Sequence, residues 1–452
     1  MQKLIAKTRE MRNIAPLISF RLLFGLVMFL ALTRNVLLGF VHKFYVAPVY
    51  YFKYFGFEWV QPLGEVWTYL FYAVLLLSTI GIILGAFYRI ATVLFFLLFS
   101  YFELLDQTHY LNHYYLVSLL SFLLIFLPAN RAFSIDVLFK PHLKIESVPA
   151  WTILILQFQL ALVYFYAGLA KIHPDWLFQA QPLKIWLGRL NDIPIMGYVL
   201  VLPMTAYIFS WFATIYDLTI PFLLWNKKSR LLAYLAVIIF HVLSGLLFNI
   251  GIFPIAMIAF SLIFFSEFWH KKIISTFDLI FILTYSKLKQ RKDNLETSPL
   301  KLGYNKVPWF IWIFVFWQLL FPLRHLLYPG NVLWTEEGFR FSWKVMVVEK
   351  TGSAVFRVID SRGRESEVNN RIYLTEKQEV FMSYQPDMLL QFAHFLAKTY
   401  REKGFVNPKV YVDCFVTING RTSRRLIDPN VDLAAEKAGI HHKSWILQYE
   451  DL

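Results

Sequence analysis

The sequence predicts a mainly α polytopic membrane bundle of eight or nine transmembrane helices, followed by a small extracytoplasmic α+β domain. Three observations predict it. The 452-residue chain is 58% hydrophobic and 19% aromatic with only 16% charged residues, and its mean hydropathy of +0.51 is far above that of soluble domains. Its apolar residues gather into runs of about 17 to 25, the length that crosses a bilayer. After about residue 329 those runs give way to shorter alternating segments. The division expected is a transmembrane domain over 1–328 and an extracytoplasmic domain over 329–452.

In order, the spans read 17–41, 64–85, 89–105, 110–128, 149–170, 203–225, 230–250, 252–268 and 307–328. The third and eighth are short, and only Asn249-Ile250-Gly251 separates the seventh from the eighth, so that pair reads as a tight hairpin or one broken element. Arg21 and Arg34 interrupt the first span and no small-residue cleavage site follows, so no cleavable signal peptide is expected. With nine spans and an inner N-terminus, about nineteen Lys and Arg fall in inner segments and about five in outer ones, as the positive-inside rule requires. That orientation puts Lys171 and the C-terminal domain outside. The net charge of +14 then reflects topology and contact with anionic lipid headgroups, and no nucleic-acid partner is expected. A polar stretch from Lys287 to Lys306 reads as an inner linker.

In the outer domain, 339–345 and 354–359 alternate like strands and are expected to join at Lys350-Thr351-Gly352-Ser353. Residues 386–402 read as a helix with Met388, Leu389, Phe392, Phe395 and Leu396 on one face. A strand over 409–418 ends in Asn419-Gly420, a hairpin signal. The single cysteine, Cys414, excludes an intrachain disulfide.

Few polar groups interrupt the apolar runs, and each is a candidate for chemistry. Residues 149–170 carry no charge, and the chain then reads Lys171-Ile172-His173-Pro174-Asp175-Trp176. A lysine at a helix end ordinarily snorkels its ammonium to the interface. One stripped of water is instead a candidate base, because desolvation penalises its charged form. His109 and His113 are four residues apart and would share a helical face, yet no metalloprotease-type Glu accompanies them, and no metal is expected. Asn112 and His113 read better as hydrogen-bonding groups at the outer membrane edge. His241 lies well inside the seventh span, either as a functional group or as a neutral histidine bonded to a neighbouring helix.

Several runs together resemble the vitamin K-dependent gamma-glutamyl carboxylases. They are Ala86-Phe87-Tyr88-Arg89-Ile90, Leu104 to Tyr115, Phe126-Leu127-Pro128-Ala129-Asn130, Val163 to Lys171 with Pro174-Asp175-Trp176, and Phe240-His241 with Phe248-Asn249-Ile250-Gly251. Phe341-Ser342-Trp343, Thr417 to Arg421 and Asp428 to Asp432 continue the likeness in the outer domain. Each motif is weak alone, and their common order over roughly residues 60 to 435 is specific. The resemblance implies a compact homologue with an HTTM-type membrane domain; its size and lack of disulfides read as bacterial, which, with the charge-derived orientation, would set it in the inner membrane with its C-terminal domain on the periplasmic face.

It also implies an enzyme that couples oxidation of reduced vitamin K, menaquinol or a related isoprenoid hydroquinone, by O2 to carboxylation of peptide glutamate with CO2. Lys171 aligns with the family's quinol-deprotonating lysine, and His113 with the histidine assigned to carboxylation. Asn112, Tyr114, Tyr164, Trp176 and His241 would support the quinone. His325, Trp334, Arg340 and Trp343 fall in the region near the glutamate-bearing peptide; Arg340 reads equally as a solvated strand arginine. The partners implied are a glutamate-containing peptide or protein, the lipid bilayer and the quinol.

The sequence also departs from the animal members. Ala170 stands where they carry a second lysine, Ser244 where they carry Asn, and the chain ends at Leu452, well before theirs. Quinol oxygenation is therefore better supported than carboxylation of a large protein. An uncoupled quinol epoxidase and a transporter or lipid-binding protein are the alternative classes, although no internal repeat of the transporter kind is visible.

Overall fold

The computed structural model describes residues 2–194, 196–289 and 306–449. Among these, seven helices are long and apolar enough to cross a membrane, which makes the chain an integral membrane protein. They are α1 (Ala15–Leu37), α2 (Glu65–Leu84), α3 (Tyr88–Leu105), α5 (Trp151–Ala170), α7 (Pro203–Trp225), α8 (Arg230–Leu247) and the helical segment Trp309–Leu327. Two further expected spans are shorter apolar helices, α4 (Asn112–Phe126) and the segment Phe253–Phe264, whose α-helical part is α9 (Phe253–Ser261). The short α6 (Pro174–Gln179) follows Lys171. Most of the expected linker from Lys287 to Lys306 lies outside the described residues.

The first span's internal charge has a structural role. Arg21 is wholly buried, and its guanidinium donates to the carbonyls of Ala129 at 2.8 Å and Phe133 at 2.5 Å. It thereby ties α1 to the loop after α4, and a buried cation must find such acceptors. Strand β1 (Met11–Asn13) pairs antiparallel with β2 (Ser147–Pro149), which joins the start of the chain to the segment that enters α5.

The C-terminal region carries a four-stranded antiparallel sheet in the order β4-β3-β5-β6. Its strands are β3 (Lys350–Ile359), β4 (Glu365–Glu367), β5 (Lys409–Ile418) and β6 (Arg424–Arg425). Alternation in β5 buries Val410, Val412, Cys414, Val416 and Ile418. That face meets the helix over Pro386–Glu402, which buries Met388, Leu389, Phe392 and Leu396. Asn419 and Gly420 both have positive φ, 50° and 76°, which suits the hairpin they turn.

Two expectations fail here. The Lys350 to Ser353 stretch is the first part of β3 and pairs with 415–418 of β5, so it makes no turn. Residues 339–345 form turns with positive φ at Phe341 and Trp343. Their alternation arises because these side chains plug into the bundle. Trp343 stacks on Tyr115 with centroids 4.9 Å apart, and Phe341 packs edge-on against Tyr110 and Tyr115.

Polar contacts complete the docking of the two regions. Asp175 of α6 accepts from Asn419 Nδ2 at 2.9 Å and from Arg421, beside the β5–β6 turn. Asp106 accepts from Gln378 Nε2 at 2.6 Å, and Lys377 Nζ donates to His109 Nδ1 at 2.7 Å. Burial, reinforced by the Lys377 charge, holds His109 down to about 3, so a neutral ring receives that bond. Burial also lowers Lys53, Lys344 and Lys377, each to about 8 against an ordinary 10.5.

Between about pH 8 and 10 the unfolded chain binds protons at these lysines that the folded chain has released, so stability rises with pH across that window. The unfolding temperature in detergent is expected to climb from pH 8 to 9.5. A Lys344→Met/Lys377→Met variant should flatten the climb, and a climb of unchanged slope would assign it to other groups.

Candidate active site

Lys171 caps the C-terminus of α5 and is 5% exposed. Its ammonium does not snorkel. Nζ lies 2.8 Å from Asp217 Oδ2 and 3.2 Å from the Ala167 carbonyl, with the Trp176 ring centroid at 5.4 Å. Both side chains of the pair are 6% exposed. Gly168 makes the approach possible, because a Cβ there would sit 2.8 Å from Leu218 Cγ and 2.9 Å from its amide nitrogen. α7 can therefore press its Asp217 turn against the end of α5. Pro221 lies four residues beyond Asp217 inside α7 and removes the amide that would bond its carbonyl.

The pair lines a cavity of about 140 Å³ whose other walls include Trp176, Phe209, Phe212 and Phe240. Trp176 is held by its indole N–H, which is 3.0 Å from both the Ser210 carbonyl and Thr214 Oγ1. Tyr164 OH is 2.9 Å from His241 Nε2, and both residues line the cavity. The other ring nitrogen of His241, Nδ1, is buried and meets no hydrogen-bond partner among the described residues. A polar atom so placed suits a ligand hydroxyl or carbonyl.

His113 and Asn112 open α4 and line a second cavity, of about 680 Å³, together with Tyr114. Asn112 Oδ1 accepts from Tyr110 OH at 3.1 Å, and its Nδ2 is 3.4 Å from the Lys344 carbonyl. His109 does not share a helical face with His113. It sits in the separate 3₁₀ turn Gln107–His109, and the extended Leu111 intervenes. Lys171 and His113 thus line adjoining cavities rather than one.

The four residues expected near a peptide are dispersed. Arg340 donates to Asp387 Oδ2 at 2.5 Å and also meets Gln385, so its carboxylate partner is internal. Trp334 is fully buried and donates to the Leu447 carbonyl at 2.7 Å. His325 Nδ1 is 2.9 Å from the Pro322 carbonyl, and Trp343 is buried against Tyr115. None of the four lines either cavity; Val345 and Met346, just beyond Trp343, line both. Asp217 escaped the sequence reading although an acidic residue inside a spanning segment is a strong signal of function.

An integral membrane protein with a buried lysine–carboxylate pair in an apolar chamber, capped by a sheet-bearing region, is the class these features define. Residues 10–269 match the family model of the HTTM domain, and residues 305–451 match that of the vitamin K-dependent gamma-carboxylase lumenal domain. The chain belongs to the vitamin K-dependent gamma-carboxylase family. No solved structure matches it.

Removing one partner of a buried ion pair strands the other charge. Asp217→Leu is expected to lower stability by about 3 kcal/mol, and the double variant Lys171→Met/Asp217→Leu to regain most of that loss. Thermal unfolding in detergent reads both, and a double variant no more stable than Asp217→Leu would contradict the pairing.

Proposed function

We propose that this protein is a membrane carboxylase that uses a reduced vitamin K-type quinol, with O2 and CO2, to carboxylate glutamate side chains of a peptide. One observation carries the reading. The family's lysine position is occupied here by an amine held away from water, against a carboxylate, in the wall of an apolar chamber.

Lys171 must shed its own proton before it can accept one. Asp217 Oδ2, at 2.8 Å, is the acceptor in reach. Passing that proton to Asp217 leaves an amine in the wall of the apolar chamber. Lys171 Nζ then takes a quinol hydroxyl proton as a general base. His241 Nδ1 offers the same ring a hydrogen bond, while Tyr164 fixes the imidazole through Nε2. Oxidation of the bound quinol by O2 supplies the strong base that a glutamate γ-carbon proton demands. Overall the quinol becomes its epoxide, O2 yields water, and CO2 replaces the γ-hydrogen. His113 and Asn112 serve the carboxylation half, and the dry aromatic walls protect the reactive species from water.

In this reading the two short apolar helices complete nine crossings, the N-terminus is cytoplasmic, and residues 329–452 form an extracytoplasmic domain. Charge asymmetry supports the orientation. A bacterial inner membrane would make the quinol a menaquinol and put the domain in the periplasm.

Purified protein given reduced vitamin K, O2, labelled CO2 and a glutamate peptide is expected to make epoxide and labelled product together. Lys171→Ala should lower both by roughly 10²–10⁴, the usual worth of a general base. Full epoxidation by Lys171→Ala would remove the base from the scheme. Epoxide without labelled peptide would leave an uncoupled oxygenase.

A further inference from the structure

A third cavity lies at the end of the bundle remote from the sheet. It holds about 430 Å³, and its walls are the starts of α1 and α5, the end of α7, the loop into α8 and residues 263–267. Ile153 on its wall is about 27 Å along α5 from Lys171. Among the described residues none lines both this cavity and either cavity of the candidate site.

Its lining falls into two chemical halves. Arg12, Lys227 and Arg230 stand against one described carboxylate, Glu267, which itself meets Lys271 Nζ at 3.4 Å. Arg230 is aimed by the end of α7, whose Leu224 and Trp225 carbonyls accept from Nε at 2.9 Å and Nη2 at 3.1 Å. Its Nη1 and the Lys227 ammonium meet no partner among the described residues. Arg12 is fixed by the pairing of β1 with β2, and its contact with Glu10 is a loose 3.9 Å. Cations gathered on few counter-charges attract an anion.

The other half is apolar, with Pro16, Ile153, Leu154 and Phe264. Its polar member, Gln157, is already satisfied: Nε2 donates to the Ile263 carbonyl at 2.9 Å, and Oε1 accepts from Trp225 Nε1 at 3.1 Å. Unpaired polarity is thus confined to the cationic side. A free phosphate would leave the apolar wall uncovered, and a zwitterionic lipid would leave the excess positive charge unbalanced. An amphiphile with an anionic head covers both.

We propose that this cavity binds the headgroup of an anionic phospholipid, its phosphate on Lys227, Arg230 and Arg12 and the upper part of its acyl chains along Ile153, Leu154 and Phe264. The site needs no part of the carboxylase reading. Its position gives it a structural consequence, because α5 and α7 carry Lys171 and Asp217 further along. The lipid and the Gln157–Trp225 bond would together join those two helices at this end.

Native mass spectrometry of the detergent-purified chain tests the site by titration with phosphatidylglycerol, phosphatidylcholine or glycerol 1-phosphate. Phosphatidylglycerol is expected to bind at least ~10-fold more tightly than phosphatidylcholine. Arg12→Gln/Lys227→Gln should lose at least ~10-fold of that affinity, since each basic side chain beside an anionic headgroup contributes about fivefold. Lys140→Gln/Lys144→Gln removes the same charge from exposed positions outside the cavity and should stay within about twofold of the parent. Equal losses in the two double variants would reduce the preference to general attraction of a basic surface, and the proposal would fall. It would fall equally if the two phospholipids bound alike, or if glycerol 1-phosphate bound as tightly as phosphatidylglycerol, which would mark a site for a free anion. Should the double variant not fold, Lys227→Gln alone is expected to lose ~5-fold, and a loss of less than about twofold overturns the assignment.

Discussion

A lysine and an aspartate side chain 2.8 Å apart, both almost fully buried, are the constraint on which the site is built. Each charge alone would be costly at this depth, and the pair is tolerable only if its geometry holds. That requirement reaches outward. α5 must end beside α7, and a glycine at 168 must admit Leu218 at closer than ordinary side-chain contact. Trp176, anchored to α7 by its indole N–H, closes over the amine. Asp175, the preceding residue, is clamped by Asn419 and Arg421, so the turn that covers Lys171 is itself held by the C-terminal sheet.

The C-terminal region is accordingly part of the site and not an appendage. Its contribution comes from an irregular segment, where Phe341 and Trp343 insert among Tyr110 and Tyr115 and bring Val345 and Met346 to the wall between the cavities. The positive φ values at Phe341, Trp343 and Met346 each cost about 1 kcal/mol or more. The packing of buried aromatic rings into the bundle offsets that cost. The residues first expected to meet peptide are mostly spent on this architecture: Trp334 in the core, Arg340 on Asp387 and Trp343 on Tyr115.

Division of the interior into an apolar and a charged chamber follows from which helices supply the walls. α7 and α8 face the smaller cavity with Phe209, Phe212 and Phe240, an apolar aromatic surface. The C-terminal end of α1, the segment after it and Lys377 turn cations toward the larger. His113 and His241 are thereby given different surroundings on either side of one phenyl ring.

Much of the fold was legible because the bilayer sets a length and a composition that local sequence must satisfy. The helices from Ala15–Leu37 to Trp309–Leu327 fall where apolar runs predict them, and the 409–418 strand and its Asn419-Gly420 turn were equally local. Patterns that depend on a partner elsewhere misled. Period-two alternation at 339–345 came from side chains docking into the bundle, and the four-residue spacing of His109 and His113 lost its meaning when Leu111 interrupted the helix. Lys171 by itself is a helix-end lysine with two readings. Only the tertiary structure brings Asp217, 46 residues away, within hydrogen-bond distance, and only it puts Phe253 between two histidines. The sequence determined which segments the membrane would accept, because transfer of a helix into lipid depends on that helix alone. Which charge each buried group would meet was decided by packing, because in a medium that solvates ions poorly the nearest partner governs the chemistry.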